Sequence, residues 1–182
     1  GGSNPFIVMR DADLERAAAE ASYSRFRDAG QSCNAAKRIV VTEAVADRFI
    51  PLFLAECAKL QTGDPKDPAT TLAPLHREDL RANVHAQVQD AVAHGAEVLA
   101  GGFIPEGKGW FYPATVFDKV NPNCRVWNEE VFGPVAMILR AKDEEHAIAL
   151  ANDTPYGLGA SIYTANTCRA WALAEKIQAG SV

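Results

Sequence analysis

The chain has 182 residues, with 18 Lys and Arg against 23 Asp and Glu, a net charge of −5. Hydrophobic residues make up 48% and charged residues 23%, which excludes the disordered, collagenous and low-complexity classes. No apolar run approaches the ~18 residues of a membrane span, no leader of the basic-then-apolar kind opens the sequence, and an acidic chain without a basic patch is not built for nucleic acid.

Phe6-Ile7-Val8-Met9 reads as a buried strand. Asp11 offers a helix cap, and Leu14, Ala17, Ala18, Ala21 and Phe26 keep a helical period to about Asp28, where Gly30 can stop it. Ile39-Val40-Val41 is a strand, followed by a helix from about Ala44 to Leu60 that Pro51 interrupts with a kink. A Gly/Pro loop over 62–68 leads to a polar helix from His76 to His94, and Glu97–Ala100 is a strand. Phe111–Phe117 is β-like but contains Pro113, which places it at an edge or makes it irregular. Val135–Leu139 is an apolar strand, 143–152 a helix capped by Asp143, and 159–163 a strand. The last helix runs from Thr167 to Gln178, Gly180 stops it, and a further strand is expected to begin at Ser181-Val182. Strands alternating with helices, apolar on both faces, predict one α/β domain: a three-layer, open, largely parallel sheet flanked by helices.

The chemistry-bearing residues are few. The cysteines are Cys33, Cys57, Cys124 and Cys168; none forms a C-x-x-C pair, and they read as reduced thiols of a cytoplasmic protein. Cys57 and Cys168 fall among apolar helix positions. Cys33 sits among polar residues in Gly30-Gln31-Ser32-Cys33-Asn34, between a helix and a strand, where an accessible thiolate can serve as a nucleophile; an inert buried thiol is the alternative. His76, His85 and His94 recur every nine residues and drift around a helix, so no metal site is expected. Asn128-Glu129-Glu130-Val131-Phe132-Gly133-Pro134 sets two carboxylates and an aromatic before a core strand. A carboxylate can accept from a diol and a ring can flank a flat heterocycle; an acidic surface turn with Phe132 in the core is the plainer reading.

Taken together, these segments resemble the catalytic domain of the aldehyde dehydrogenase family. Gly30-Gln31-Ser32-Cys33 is similar to its G-Q-x-C motif and Glu129–Pro134 to its E-E-x-F-G-P motif. Gly1–Val8, Tyr112–Val116 and Asn152–Leu158 are similar to further family segments, in order along the whole chain. The resemblance implies that Cys33 attacks an aldehyde, that hydride passes to NAD or NADP, and that water hydrolyses the resulting thioester to the acid. It implies that Glu130 holds the nicotinamide ribose, that Phe132 bounds the nicotinamide pocket, and that Gln31, Ser32 and Asn34 line the site of a small aldehyde substrate. Ser3 and Cys33–Arg38 are similar to bacterial succinate-semialdehyde dehydrogenases; Arg38 is either a cation for the distal carboxylate or, more simply, a surface residue at a strand start. The general-base glutamate, the N-terminal cofactor domain and the C-terminal oligomerisation arm of a homo-oligomeric parent are not among these residues. The expectation is a domain over 1–182 that folds but is inactive alone and self-associates through uncovered apolar surface. Other readings are a non-catalytic module or a cysteine hydrolase or acyltransferase with a histidine base.

Overall fold

The computed structural model describes all 182 residues. Its strands are β1 (Asn4–Val8), β2 (Ala36–Thr42), β3 (Glu97–Ala100), β4 (Thr115–Asp118), β5 (Val135–Ala141) and β6 (Ser161–Tyr163). The helices are α1 (Leu14–Phe26), α2 (Glu43–Ala58), α3 (Glu78–Ala93), α4 (Arg125–Asn128), α5 (Glu144–Asn152) and α6 (Thr167–Ala174). The strands form one sheet in the order β3-β4-β5-β2-β1-β6, antiparallel only at β3–β4. Phe6 pairs with Ile39 and Ile39 with Ile138, so the central strands bring their most apolar residues side by side.

The path from β1 through α1 to β2 steps one way across the sheet, and that from β5 through α5 to β6 steps the other. Right-handed crossovers therefore put α1 and α5 on opposite faces, which yields the three layers. Burial on both faces is why β1 and β2 read as continuous apolar runs rather than as alternation. Ala17, Ala18 and Ala21 are fully covered, and their small side chains let α1 lie close against α2. Phe26, Phe49 and Phe53 fill that seam, with ring centroids 5.9 Å apart for Phe49–Phe53 and 6.3 Å for Phe26–Phe53. No helix is long and apolar enough to cross a membrane.

Several local expectations are corrected. The cap of α1 is Asp13, whose carboxylate accepts from Arg16 N at 3.1 Å; Asp11 instead accepts from the Thr164 hydroxyl at 2.8 Å. Helix α2 runs unbroken through Pro51, which faces solvent. The strand expected at 111–117 is shorter and interior: β4 lies between β3 and β5, and Pro113 precedes it, so the missing N–H interrupts no ladder. The last helix ends at Ala174, and 181–182 are not in a strand.

Because β1, β2, β4, β5 and β6 run parallel, the loops preceding them emerge at one edge. That edge gathers residues 1–3, 31–35, 129–134 and 153–160. It is the amino edge of the sheet, opposite to the carboxyl edge where open α/β sheets ordinarily bind ligands.

Candidate active site

The chain reaches the Cys33 loop from α1 through a left-handed turn: Asp28, Ala29 and Gly30 have φ of 55°, 53° and 71°. Two of these three are not glycine, a conformation held only where surroundings demand it. At Gly30 the demand is steric, since a Cβ there would meet the Gly133 carbonyl and lie 2.7 Å from Arg25 Nη2. The turn is thereby pressed against Gly133, and the two sequence motifs are joined.

Beyond it, Cys33 is exposed. Ser32 Oγ donates to Asn34 Oδ1 at 2.6 Å, and Asn4 Nδ2 donates to the Asn34 carbonyl at 3.1 Å. Asn4 Oδ1 also accepts from Gly159 N at 3.2 Å, so one amide ties the Cys33 loop to the 153–160 loop. Ser32 and Asn34 line a depression of about 140 Å³ with Tyr23, Ser24 and Arg27. Gln31 points elsewhere, donating to the Asp28 carbonyl and accepting from His76 N at 2.9 Å. A larger cavity of about 500 Å³, lined by residues including Ala19, Tyr23, Glu56, Lys59 and Thr70, contains none of 31–34.

The adjacent carboxylates part company. Arg125 holds Glu129 through Nε and Nη2, each at 2.9 Å, and Gln87 donates to it at 2.8 Å. The Arg125 hydrogen bonds keep the Glu129 carboxyl below its ordinary range. Glu130 turns to the Cys33 side: its Oε1 accepts from Gly2 N at 2.9 Å and lies 3.6 Å from Lys37 Nζ. Gly2 itself leaves no room, because a Cβ there would meet the Cys33 carbonyl. Tyr156 Oη accepts from Glu130 N at 3.1 Å. Phe132 is half-buried.

Two buried cations lie beneath this edge, and sequence reasoning missed both. Arg25, on α1, donates through Nη2 to the carbonyls of Val131 (3.1 Å) and Gly133, and so clamps the turn between Glu130 and β5. Lys37, at the start of β2, is 1% exposed and points back into the Cys33 loop. Burial lowers Arg25 to a pKa of about 9 and Lys37 to about 8; Arg25 repels Lys37 further, and Glu130 opposes both shifts. The available signal was a Lys-Arg pair opening an otherwise apolar central strand, since such residues are almost never fully buried without partners.

Arg38 fits neither reading offered for it. It is fully buried, stacked 4.8 Å over the Trp127 ring, and donates to the carbonyls of Trp127 (3.2 Å), Leu150 (2.8 Å) and Asp153 (3.0 Å). It ties α4 to the end of α5. Of the other thiols, Cys57 and Cys124 are buried, and desolvation pushes Cys57 up to about 12. Cys168 is exposed, against its apolar sequence context, because the flank of α6 that carries it faces solvent.

The sequence profile of the aldehyde dehydrogenase family matches residues 1–182. Over its full length the chain is 46% identical to an NAD(P)+ succinate semialdehyde dehydrogenase of Escherichia coli (strain K12), of which it covers 39%. It is 47% identical to an aldehyde dehydrogenase of Paenarthrobacter nicotinovorans, covering 40% of it. The solved structure of lactaldehyde dehydrogenase from Escherichia coli superimposes on the whole chain with a TM-score of 0.96 at 37% identity, the chain covering 38% of it. The chain thus spans about two-fifths of the length of these relatives. With the profile matched from end to end and the whole fold superimposed, the chain belongs to the aldehyde dehydrogenase family.

Proposed function

We propose that the chain is the thiol-bearing domain of a longer enzyme that oxidises an aldehyde, succinate semialdehyde foremost, to its acid with NAD or NADP. The observation that carries this reading is the junction of two separate loops: an exposed Cys33 on one, and Glu130 on the other, joined through Gly2 and Lys37. The relatives named as succinate semialdehyde dehydrogenases support the substrate.

The residues fit a nicotinamide nucleotide. Glu130 Oε1 is occupied by Gly2 N and Lys37, while Oε2, packed close to Gly1, makes no hydrogen bond within the chain and is the oxygen left to accept from a ribose hydroxyl. Phe132 stands half-exposed beside it. When bound, the nucleotide takes up hydride. Cys33, as thiolate, forms the C–S bond to the carbonyl carbon and pushes the carbonyl electrons onto oxygen. The backbone N–H of Cys33 donates to that oxyanion, a contact worth about 3 kcal/mol when removed. Loss of hydride from the same carbon leaves a thioester on Cys33. Water cleaves it, and the acid and the free thiol result. Covalent capture divides the oxidation into two lower barriers. Ser32 and Asn34, the chain neighbours of the thiol, border a depression that Cys33 itself does not line, so their contact with substrate rests on their place in the chain; Gln31 braces the loop instead, through Asp28 and His76.

A cysteine hydrolase with a histidine base finds less support. The imidazoles of His85, His94 and His146 bond to Tyr112, Asp90 and Lys142, and His76 meets the Cys33 loop through its backbone N–H.

The test is to assay the full-length protein with a panel of semialdehydes and simple aldehydes, using NAD and NADP. Reduced nucleotide should form, fastest with succinate semialdehyde, and Cys33→Ala should abolish it. Undiminished turnover by Cys33→Ala would remove the proposal.

A further inference from the structure

Lys37 is the second residue of β2 and 1% exposed. An ammonium has three N–H donors and no acceptor, and this one is given four oxygens. The carbonyls of Ser32, Cys33 and Ala35 lie at 3.0, 3.2 and 3.4 Å, and Glu130 Oε1 at 3.6 Å. Three of these belong to the single loop that carries the thiol. The fourth is the carboxylate on the other motif. An apolar residue would fill this place in a central strand without the cost of burying a charge, so the ammonium must be offset by what it organises.

The oxygens are ordered around it. Gly2 N shares Glu130 Oε1, and Gly2 is packed so tightly on the Cys33 carbonyl that it admits no side chain. Arg25 fixes the Glu130 side from below through Val131 and Gly133. The Glu130 carboxylate is thus connected to the backbone of Cys33 by two routes, a polar one through Lys37 Nζ and a packing contact through Gly2.

We infer that Lys37 is a positioning residue: its ammonium holds the Cys33 carbonyl in register with the Glu130 carboxylate, so that a nucleotide engaging Glu130 changes how the thiol is presented. The role of Glu130 in this inference rests on the proposed function. The charged groups facing Lys37 are Arg25, which repels it, and Glu130 and the Cys33 thiolate, which attract it. With its pKa lowered to about 8, the ammonium is present at neutral pH and lost above it.

The experiment uses the full-length protein and reads the rate at which iodoacetamide alkylates Cys33, with and without NAD+ or NADP+, so that hydride transfer is not needed. In the unmutated protein, nucleotide should change this rate. Lys37→Met should change the rate without nucleotide by about tenfold or more, the scale of a misplacement of about 1 Å, and should abolish the response to nucleotide. Lys37→Gln, which keeps a neutral donor, should fall between, and serves the same comparison if the Met variant does not fold. A folded Lys37 variant with the unmutated rate and response would overturn the inference, as would an unmutated protein indifferent to nucleotide. Lys37-dependent alkylation in a protein that oxidises no aldehyde would support the positioning role while refuting the reaction.

Discussion

Glu129 and Glu130 follow one another in the chain, yet Glu129 is gripped by Arg125 across one turn of α4 while Glu130 reaches across the sheet edge to Gly2 and Lys37. Replacing each should therefore have different consequences. Glu130→Gln should raise the KM for nucleotide or slow the hydride step by about tenfold, the worth of a charge-assisted hydrogen bond of about 1.4 kcal/mol. Glu129→Gln breaks an ion pair whose side chains are 39% and 43% exposed, so it should cost no more than about 1 kcal/mol of stability. Its turnover should stay near that of the unmutated protein. Steady-state kinetics beside urea denaturation of both variants checks the contrast.

Gly30 and Gly2 give a second contrast. A Cβ at Gly30 would meet the Gly133 carbonyl and crowd Arg25, at a φ of +71°. Gly30→Ala should destabilise the fold by about 2–4 kcal/mol, through both strain and collision. At Gly2 the collision is with the Cys33 carbonyl, on the loop that carries the thiol. Gly2→Ala should lower kcat by at least about tenfold through displacement of the thiol, with a smaller loss of melting temperature than Gly30→Ala. Equal losses of stability would contradict this.

The buried lysine predicts a pH dependence of stability. Lys37 releases its proton near pH 8 in the folded protein, against 10.5 for an unperturbed lysine. Between those values the unfolded chain holds more protons than the folded one, so this group's contribution to stability rises with pH across that window. Below about pH 8 the burden of the buried charge is present in full. Lys37→Met should flatten the stability profile between about pH 8 and 10.5, measured as denaturant midpoints at constant m-value.

Arg38 is predicted to act on stability and not on substrate choice. Its three carbonyl partners and the Trp127 stack are all internal. Arg38→Ala leaves those carbonyls without a donor and opens a cavity, a loss of about 3–5 kcal/mol. The ratio of kcat/KM for succinate semialdehyde over an uncharged aldehyde of similar length should not change in a milder variant, Arg38→Lys.

The alternation of apolar strands with periodic helices was legible along the chain, since β1, β2 and β5 are buried on both faces and announce it by composition. Cys33 stood out as a candidate by its polar neighbours and Glu130 by the family resemblance alone. Composition and spacing alone could not tell which of the two neighbouring carboxylates turns to the Cys33 loop, because Arg125 and Gln87 lie on other elements and hold Glu129. Lys37 was missed and Arg38 misjudged for the same reason: their side chains follow local register into the interior, and only the folded loops supply the carbonyls that make this tolerable. Pro113 misled the reading of β4 because the strand starts at Thr115, four residues later than its β-like composition suggests and clear of the proline.

The placement of the site on the amino edge of the sheet has an electrical consequence. Helices α1 and α5 run toward that edge and end at Phe26 and Asn152, ahead of the turn that leads to Cys33 and of the loop that carries Tyr156. A helix presents its partial negative charge at that end, so the peptide dipoles turn their negative poles toward this edge. Arg25 and Lys37, embedded just below, supply the compensating positive potential from fixed positions. The same helix ends repel phosphate, which seeks the opposite pole of a helix, so in the proposed reaction this edge suits the nicotinamide end of a dinucleotide and not its diphosphate.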